Sequence, residues 1–175
     1  MAGDLKGKYV ASVTMTVTNL HSLASSQDWS AGWSSASVSN LSNLYVDYLI
    51  SGTFTTHASN RQAGTINVFG IASLNDTPTW PATATGTMGT EGALSFTDLE
   101  ERDCWVRPIA SIIVDNSASA IVGFPPTSLI GAFGLWLPPT HWAIYVAQNA
   151  GTTTTAGLAA AGSAIYYTPI LGQYT

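Results

Sequence analysis

Three histidines, one cysteine and ten carboxylates are the residues of this chain that could hold a metal, attack a carbonyl or move a proton. Metal sites built on one element space their ligands roughly two to four residues apart. His21, His57 and His141 stand far from one another, so that spacing is missing and neither a metal nor a cofactor is expected. The densest charge is the run Asp98, Glu100, Glu101 and Asp103, with Arg102 and Arg107 beside it. A calcium loop or a carboxylate pair for glycoside hydrolysis would use such residues. The alternating acidic pattern around a central glycine that a calcium loop requires is not there. A solvated loop, or ion pairs made by Arg102 and Arg107, accounts for the run better. The sequence holds no Gly-x-Ser-x-Gly elbow and no glycine-rich loop followed by Lys-Ser/Thr. Cys104, between Asp103 and Trp105, is expected to be a buried, inert thiol. These residues predict a protein that is not an enzyme.

The aromatic residues remain, with six tryptophans among them. Trp105, Trp136 and Trp142 sit inside β-rich runs and are expected in the core. Trp29, Trp33 and Trp80 sit among Ser, Thr and Pro, as loop residues do. Tryptophans in such places either stack on sugar rings or anchor subunit contacts. The hydroxyl-rich neighbours lack the carboxylates and amides that grip sugar hydroxyls, so these three are taken as contact anchors. Lys6 and Lys8 join them as candidate partner contacts, because every other basic residue lies beyond position 60.

Hydrophobic residues make up 46% of the 175 residues and charged residues only 9%, where ordinary domains carry roughly a quarter charged. The polar surface must come from Ser, Thr, Asn and Gly, which suits a protein that packs against neighbours. With a net charge of −5 and no basic stripe, nucleic acid and anionic membrane surfaces are not expected partners. The opening residues lack the basic and long apolar regions of a secretory signal, so synthesis and folding in the cytoplasm are expected. A single cysteine allows no disulfide within the chain.

Elements that could position these side chains alternate with period two. Tyr9, Ala11, Val13, Met15 and Val17 read as one face of a strand. In Leu44–Thr56 the inward set is Tyr48, Ile50, Gly52 and Phe54. Further strands are expected over Thr65–Ser73, Ala93–Phe96, Trp105–Val114, Ser128–Leu137, His141–Ala147 and Ser163–Pro169. Residues 19–43 read as a long loop with room for a weak hairpin, and residues 75–91 as an irregular excursion. The fold expected is all-β, a two-sheet sandwich of jelly-roll type. Its single domain covers residues 9–175, with residues 1–8 as an N-terminal arm.

The segments Leu129-Ile-Gly-Ala-Phe-Gly-Leu-Trp-Leu-Pro138, His141-Trp-Ala-Ile-Tyr-Val-Ala-Gln-Asn-Ala-Gly-Thr152 and Ala164-Ile-Tyr-Tyr-Thr-Pro169 resemble the ending of small tailed-bacteriophage virion proteins. There a short Phe-Gly…Leu-Pro run precedes a strand, an Asn-x-Gly turn and a closing aromatic strand. Tyr48-Leu-Ile-Ser-Gly-Thr-Phe-Thr-Thr56 is similar to their first long strand. The resemblance covers about half of the chain and consists of packing and turn motifs. It implies a capsid decoration (cement) protein on the virion surface; the expected partners are the major capsid protein and copies of itself, as a trimer or another cluster. The alternative is a carbohydrate- or receptor-binding module of a tail or fibre, with a glycan as its ligand.

Overall fold

Alternation of apolar and hydroxyl side chains gives strands one buried and one wet face, and two such faces close on each other. The computed structural model describes residues 5–80, 84–86, 88–152 and 156–174, without the side chains of Leu5 and Tyr174. In chain order the first strands are β1 (Leu5–Tyr9), β2 (Val13–Thr14), β3 (Ala31–Ser34), β4 (Val38–Ser39), β5 (Asp47–Thr55), β6 (Gly64–Ser73), β7 (Thr85–Gly86) and β8 (Gly92–Ser95). Helix α1 (Leu99–Trp105), β9 (Val106–Val114), β10 (Ile121–Ser128), α2 (Leu129–Phe133), β11 (His141–Gln148) and β12 (Ala164–Tyr174) complete the chain. They form two antiparallel sheets, one ordered β1-β12-β5-β10 and the other β7-β8-β3-β11-β6-β9, with β2 and β4 joining β12 and β11. The chain is therefore an all-β sandwich.

The inter-sheet core takes Tyr48, Ile50 and Phe54 from β5, the expected inward set, together with Phe124 and Ile165. Facing them are Trp33, Ile66, Val68, Ile112, Trp142, Ile144 and Val146. A second apolar layer covers the outside of the larger sheet, where Ile71, Val106, Tyr145 and Ala147 meet Met88, Leu94 and Phe96. Strand β11 lies between both layers, and all eight of its residues are buried. The irregular excursion expected over residues 75–91 thus has a structural role, since Trp80, Ala84 and Met88 close this outer layer.

Several expectations need correction. The arm expected over residues 1–8 is, over Leu5–Lys8, part of edge strand β1, which pairs Leu5↔Tyr174 through Tyr9↔Ile170. Residues 1–4 lie outside the described residues. Strand β5 meets β12 only as far as Ile170, so Leu171–Tyr174 and β1 run past it as a two-stranded ribbon. The expected strand over residues 9–18 is broken into β1 and β2, and Tyr9 and Val13 are exposed while Met15 is buried. The loop expected over 19–43 contains β3 and β4. The strand expected over Ser128–Leu137 is helix α2 followed by a loop. Ser128 caps that helix by accepting from the Gly131 N–H, and Gly134 ends it with φ 64°.

Candidate functional site

Of the three loop tryptophans, the structure places none on an open surface. Trp33 on β3 is fully buried between the sheets, and its indole N–H donates to the Glu91 carboxylate at 2.8 Å. Trp29 and Trp80 are half-buried against the outer apolar layer. Trp80 lies flat on Gly89, where any Cβ would strike its ring. Their Ser-rich surroundings are buried too: Ser34 and Ser35 have no exposed surface, and the Ser35 hydroxyl accepts from the Ile144 N–H. Hydroxyl groups satisfied by the backbone cost little to bury, so a Ser-rich stretch need not be a surface loop.

Of the three tryptophans expected in the core, one is there and two are not. Trp142 is buried, but Trp105 is 43% exposed and Trp136 is 95% exposed. Trp136 stands on a crest, Leu135-Trp136-Leu137, between the αL stop at Gly134 and the buried pair Pro138-Pro139. Two hollows flank the crest. One, of about 250 Å³, is lined by Leu137, Leu41, Leu44, Tyr45, Pro138, Thr140 and Asn40. The other, of about 240 Å³, is lined by Leu135, Leu74, Trp105, Phe133, Ala72, Cys104 and Arg107. Leu74 and Leu44 are themselves exposed, so the apolar surface runs from one hollow over the crest to the other. Apolar surface of this kind marks contact sites.

The walls of this site are fixed by buried polar groups. The Asp47 carboxylate accepts from the Ser128 hydroxyl at 2.7 Å and the Ile130 N–H at 3.1 Å, tying α2 to the start of β5. Asn40 accepts from the Tyr45 N–H at 2.9 Å and the Tyr48 hydroxyl at 2.8 Å, and donates to the Tyr45 carbonyl at 3.0 Å. That clamp holds the 40–45 turn, in which Leu44 takes the left-handed φ of 51°. A bulky residue in that conformation is strained and persists only where its surroundings fix it.

Lys6 and Lys8 lie on the exposed terminal ribbon, two residues apart and so on one face of β1. They are not brought together with Trp29, Trp33 or Trp80, which belong to the core and the outer layer. The acidic run is helix α1, capped by Asp98. Its Arg102 is buried, ion-paired to Asp103 at 2.6 Å, bonded to the Asp28 carbonyl and set over the Phe69 ring. Cys104 is exposed rather than buried. Among the described residues no three His, Cys, Asp or Glu side chains converge as metal ligands, and no helix is long and apolar enough to cross a membrane. No protein-family model matches the chain, and no curated protein matches it.

Proposed function

We propose that this chain is a structural virion protein that decorates a bacteriophage head, gripping the coat subunits through the crest Leu135-Trp136-Leu137 and its two hollows. The observation that carries this reading is Trp136, held almost wholly in solvent by a capped helix on one side and buried prolines on the other. An exposed tryptophan among leucines gains most from being covered by protein, and such residues dominate interface energies. The crest belongs to the segment on which the resemblance to phage virion proteins rests. Only Arg107 among the residues lining the two hollows carries a formal charge, so the attachment is apolar and weakly salt-dependent. Lys6 and Lys8 on the terminal ribbon add a salt-sensitive attraction to an acidic coat surface. No cofactor takes part.

Co-sedimentation with assembled coat shells tests the reading. Trp136→Ala removes a side chain that supports no fold contact, so thermal unfolding should stay unchanged. Shell affinity should drop at least ~30-fold, the effect of losing ~2 kcal/mol at a central anchor. Replacing Lys6 and Lys8 with Ala should weaken binding several-fold at low salt and hardly at all at high salt. Unchanged shell binding by the Trp136 variant would overturn the proposal. Glycan-array binding lost on the same substitution would favour a carbohydrate-binding module instead.

A further inference from the structure

The terminal ribbon of β1 and β12 lies beside the 40–45 turn, and a hollow of about 560 Å³ is enclosed between them. Both walls are pinned to β12. The Val10 N–H donates to the Pro169 carbonyl at 2.9 Å, and the Val46 N–H donates to the Ile170 carbonyl at 2.8 Å. The inward row of β12, Ile165 and Tyr167, continues in steps of two to Leu171. Lys8 pairs with Leu171, so both stand on the face of the ribbon turned toward the other sheet. From the ribbon the hollow is lined by Lys8 and Leu171, and from the turn by Ser42, Asn43 and Tyr45. The Asn40 clamp and the edge contact of the Tyr45 ring with Tyr48, 5.6 Å between centroids, hold the turn in place.

The polar side chains in this hollow are unused. Among the described residues, the Lys8 ammonium, the Ser42 and Tyr45 hydroxyls and the Asn43 amide have no hydrogen-bond or ion-pair partner. No carboxylate lines the hollow. Arg107, the cation beside the crest, is by contrast bonded to the Asp103 and Val106 carbonyls. Ligand sites enclose roughly 300–1,000 Å³ and set a few polar groups among apolar ones, as this hollow does. We infer that it binds a sugar residue that carries a carboxylate. Lys8 supplies one positive charge for one carboxylate, whereas phosphate recognition favours the bidentate fork of an arginine, which is absent here. The Ser42 and Tyr45 hydroxyls and the Asn43 amide each offer both a donor and an acceptor, as sugar hydroxyls do. The carboxylates of an acidic peptide only accept, and would leave half of that capacity unmet. Leu171 and the Tyr45 ring provide apolar surface for the C–H face of the sugar. This site goes beyond attachment to a head and does not depend on it.

Lys8 also serves the proposed attraction to the coat, and Tyr45 borders the crest's first hollow, so Asn43 separates this site from head binding. Titration of the labelled full chain with a mannuronate tetrasaccharide and with trimeric sialic acid, followed by amide NMR shifts, tests the inference. At least one of them should bind and move the amides of Lys8, Ser42, Asn43, Tyr45 and Leu171, and the uncharged cellotetraose should bind more weakly. Asn43 is exposed and its side chain bonds to no other residue, so Asn43→Ala should melt like the parent chain. It should weaken the acidic sugar roughly 3–10-fold, as for one lost hydrogen bond, and sediment with coat shells unchanged. Lys8→Gln should remove the preference for acidic sugar over cellotetraose. Absence of binding by both acidic sugars overturns the inference, as does binding that Asn43→Ala and Lys8→Gln leave unchanged. Tetraglutamate moving the same amides as strongly would make this a peptide site and overturn it too. Trp136→Ala should leave sugar binding intact; if it abolishes binding, the sugar sits on the crest and the inference fails.

Discussion

Glu91 and Asp28 are acidic groups whose ionisation the fold favours. Burial by itself would raise the Glu91 carboxyl, but donors from Trp33 and Asn19 and the nearby His21 outweigh it and hold it below its usual value. Asp28 is drawn down to about 2, first by the Ser30 N–H and then by the Ser26 and Ser30 hydroxyls. A carboxyl lowered in the folded state contributes stability above its unfolded value, and that contribution disappears as pH falls through the folded one. Unfolding midpoints should therefore fall as pH drops from about 4.5, with Asp28 still contributing until pH approaches 2. Glu91→Gln should flatten the upper part of that dependence and Asp28→Asn the lower part. Glu91→Ala should be worse than either at neutral pH. It strands the indole N–H of fully buried Trp33, an unsatisfied group that costs about 1–3 kcal/mol. Neither contact was legible in the sequence, because Glu91 lies 58 positions from Trp33 and 72 from Asn19.

Helix α2 and the turn after it explain how the crest is displayed. Five residues are too few to show a helical period, and their apolar character imitates a buried strand. The capping residues were the readable signal: Ser128 before the run and Gly134 after it are a helix start and stop. Strands that alternate over nine or ten residues, such as β5 and β6, were legible because their period repeats several times. Trp136 and Trp33 exchange surface and core because the polarity of sequence neighbours does not set burial. Burial depends instead on which strand lies mid-sheet, and β3 does, between β8 and β11. Asp47 is the tie between this helix and β5, so Asp47→Ala should destabilise the fold by about 2–3 kcal/mol, as for lost bonds to a buried charge. It should also weaken shell binding although it touches no partner. Gly134→Ala should cost about 1 kcal/mol, because position 134 has a left-handed φ. Denaturant unfolding of both variants, beside co-sedimentation, checks these values.

At the scale of the molecule, the low charge of the chain reflects a sheet with apolar layers on both faces. Because β11 is buried on both sides, Trp80, Ala84 and Met88 of the excursion, with Arg102 of α1 set over Phe69, cover the outer face of the larger sheet. The largest exposed apolar side chain is Trp136 on the crest, while Tyr9, Ile113 and Ile121 are exposed elsewhere. Low charge is read directly from the composition, whereas which apolar side chains stay in solvent depends on tertiary packing. Hydroxyl-radical footprinting of the protein alone and on coat shells, with oxidation measured for each peptide, tests the crest most directly. Trp136, open in the free protein, should become strongly protected on the shell, together with Leu135 and Leu137, while Lys6 and Lys8 change less. If Trp136 is oxidised equally in the free and shell-bound protein, the crest does not face the coat and the proposed mode of attachment is contradicted.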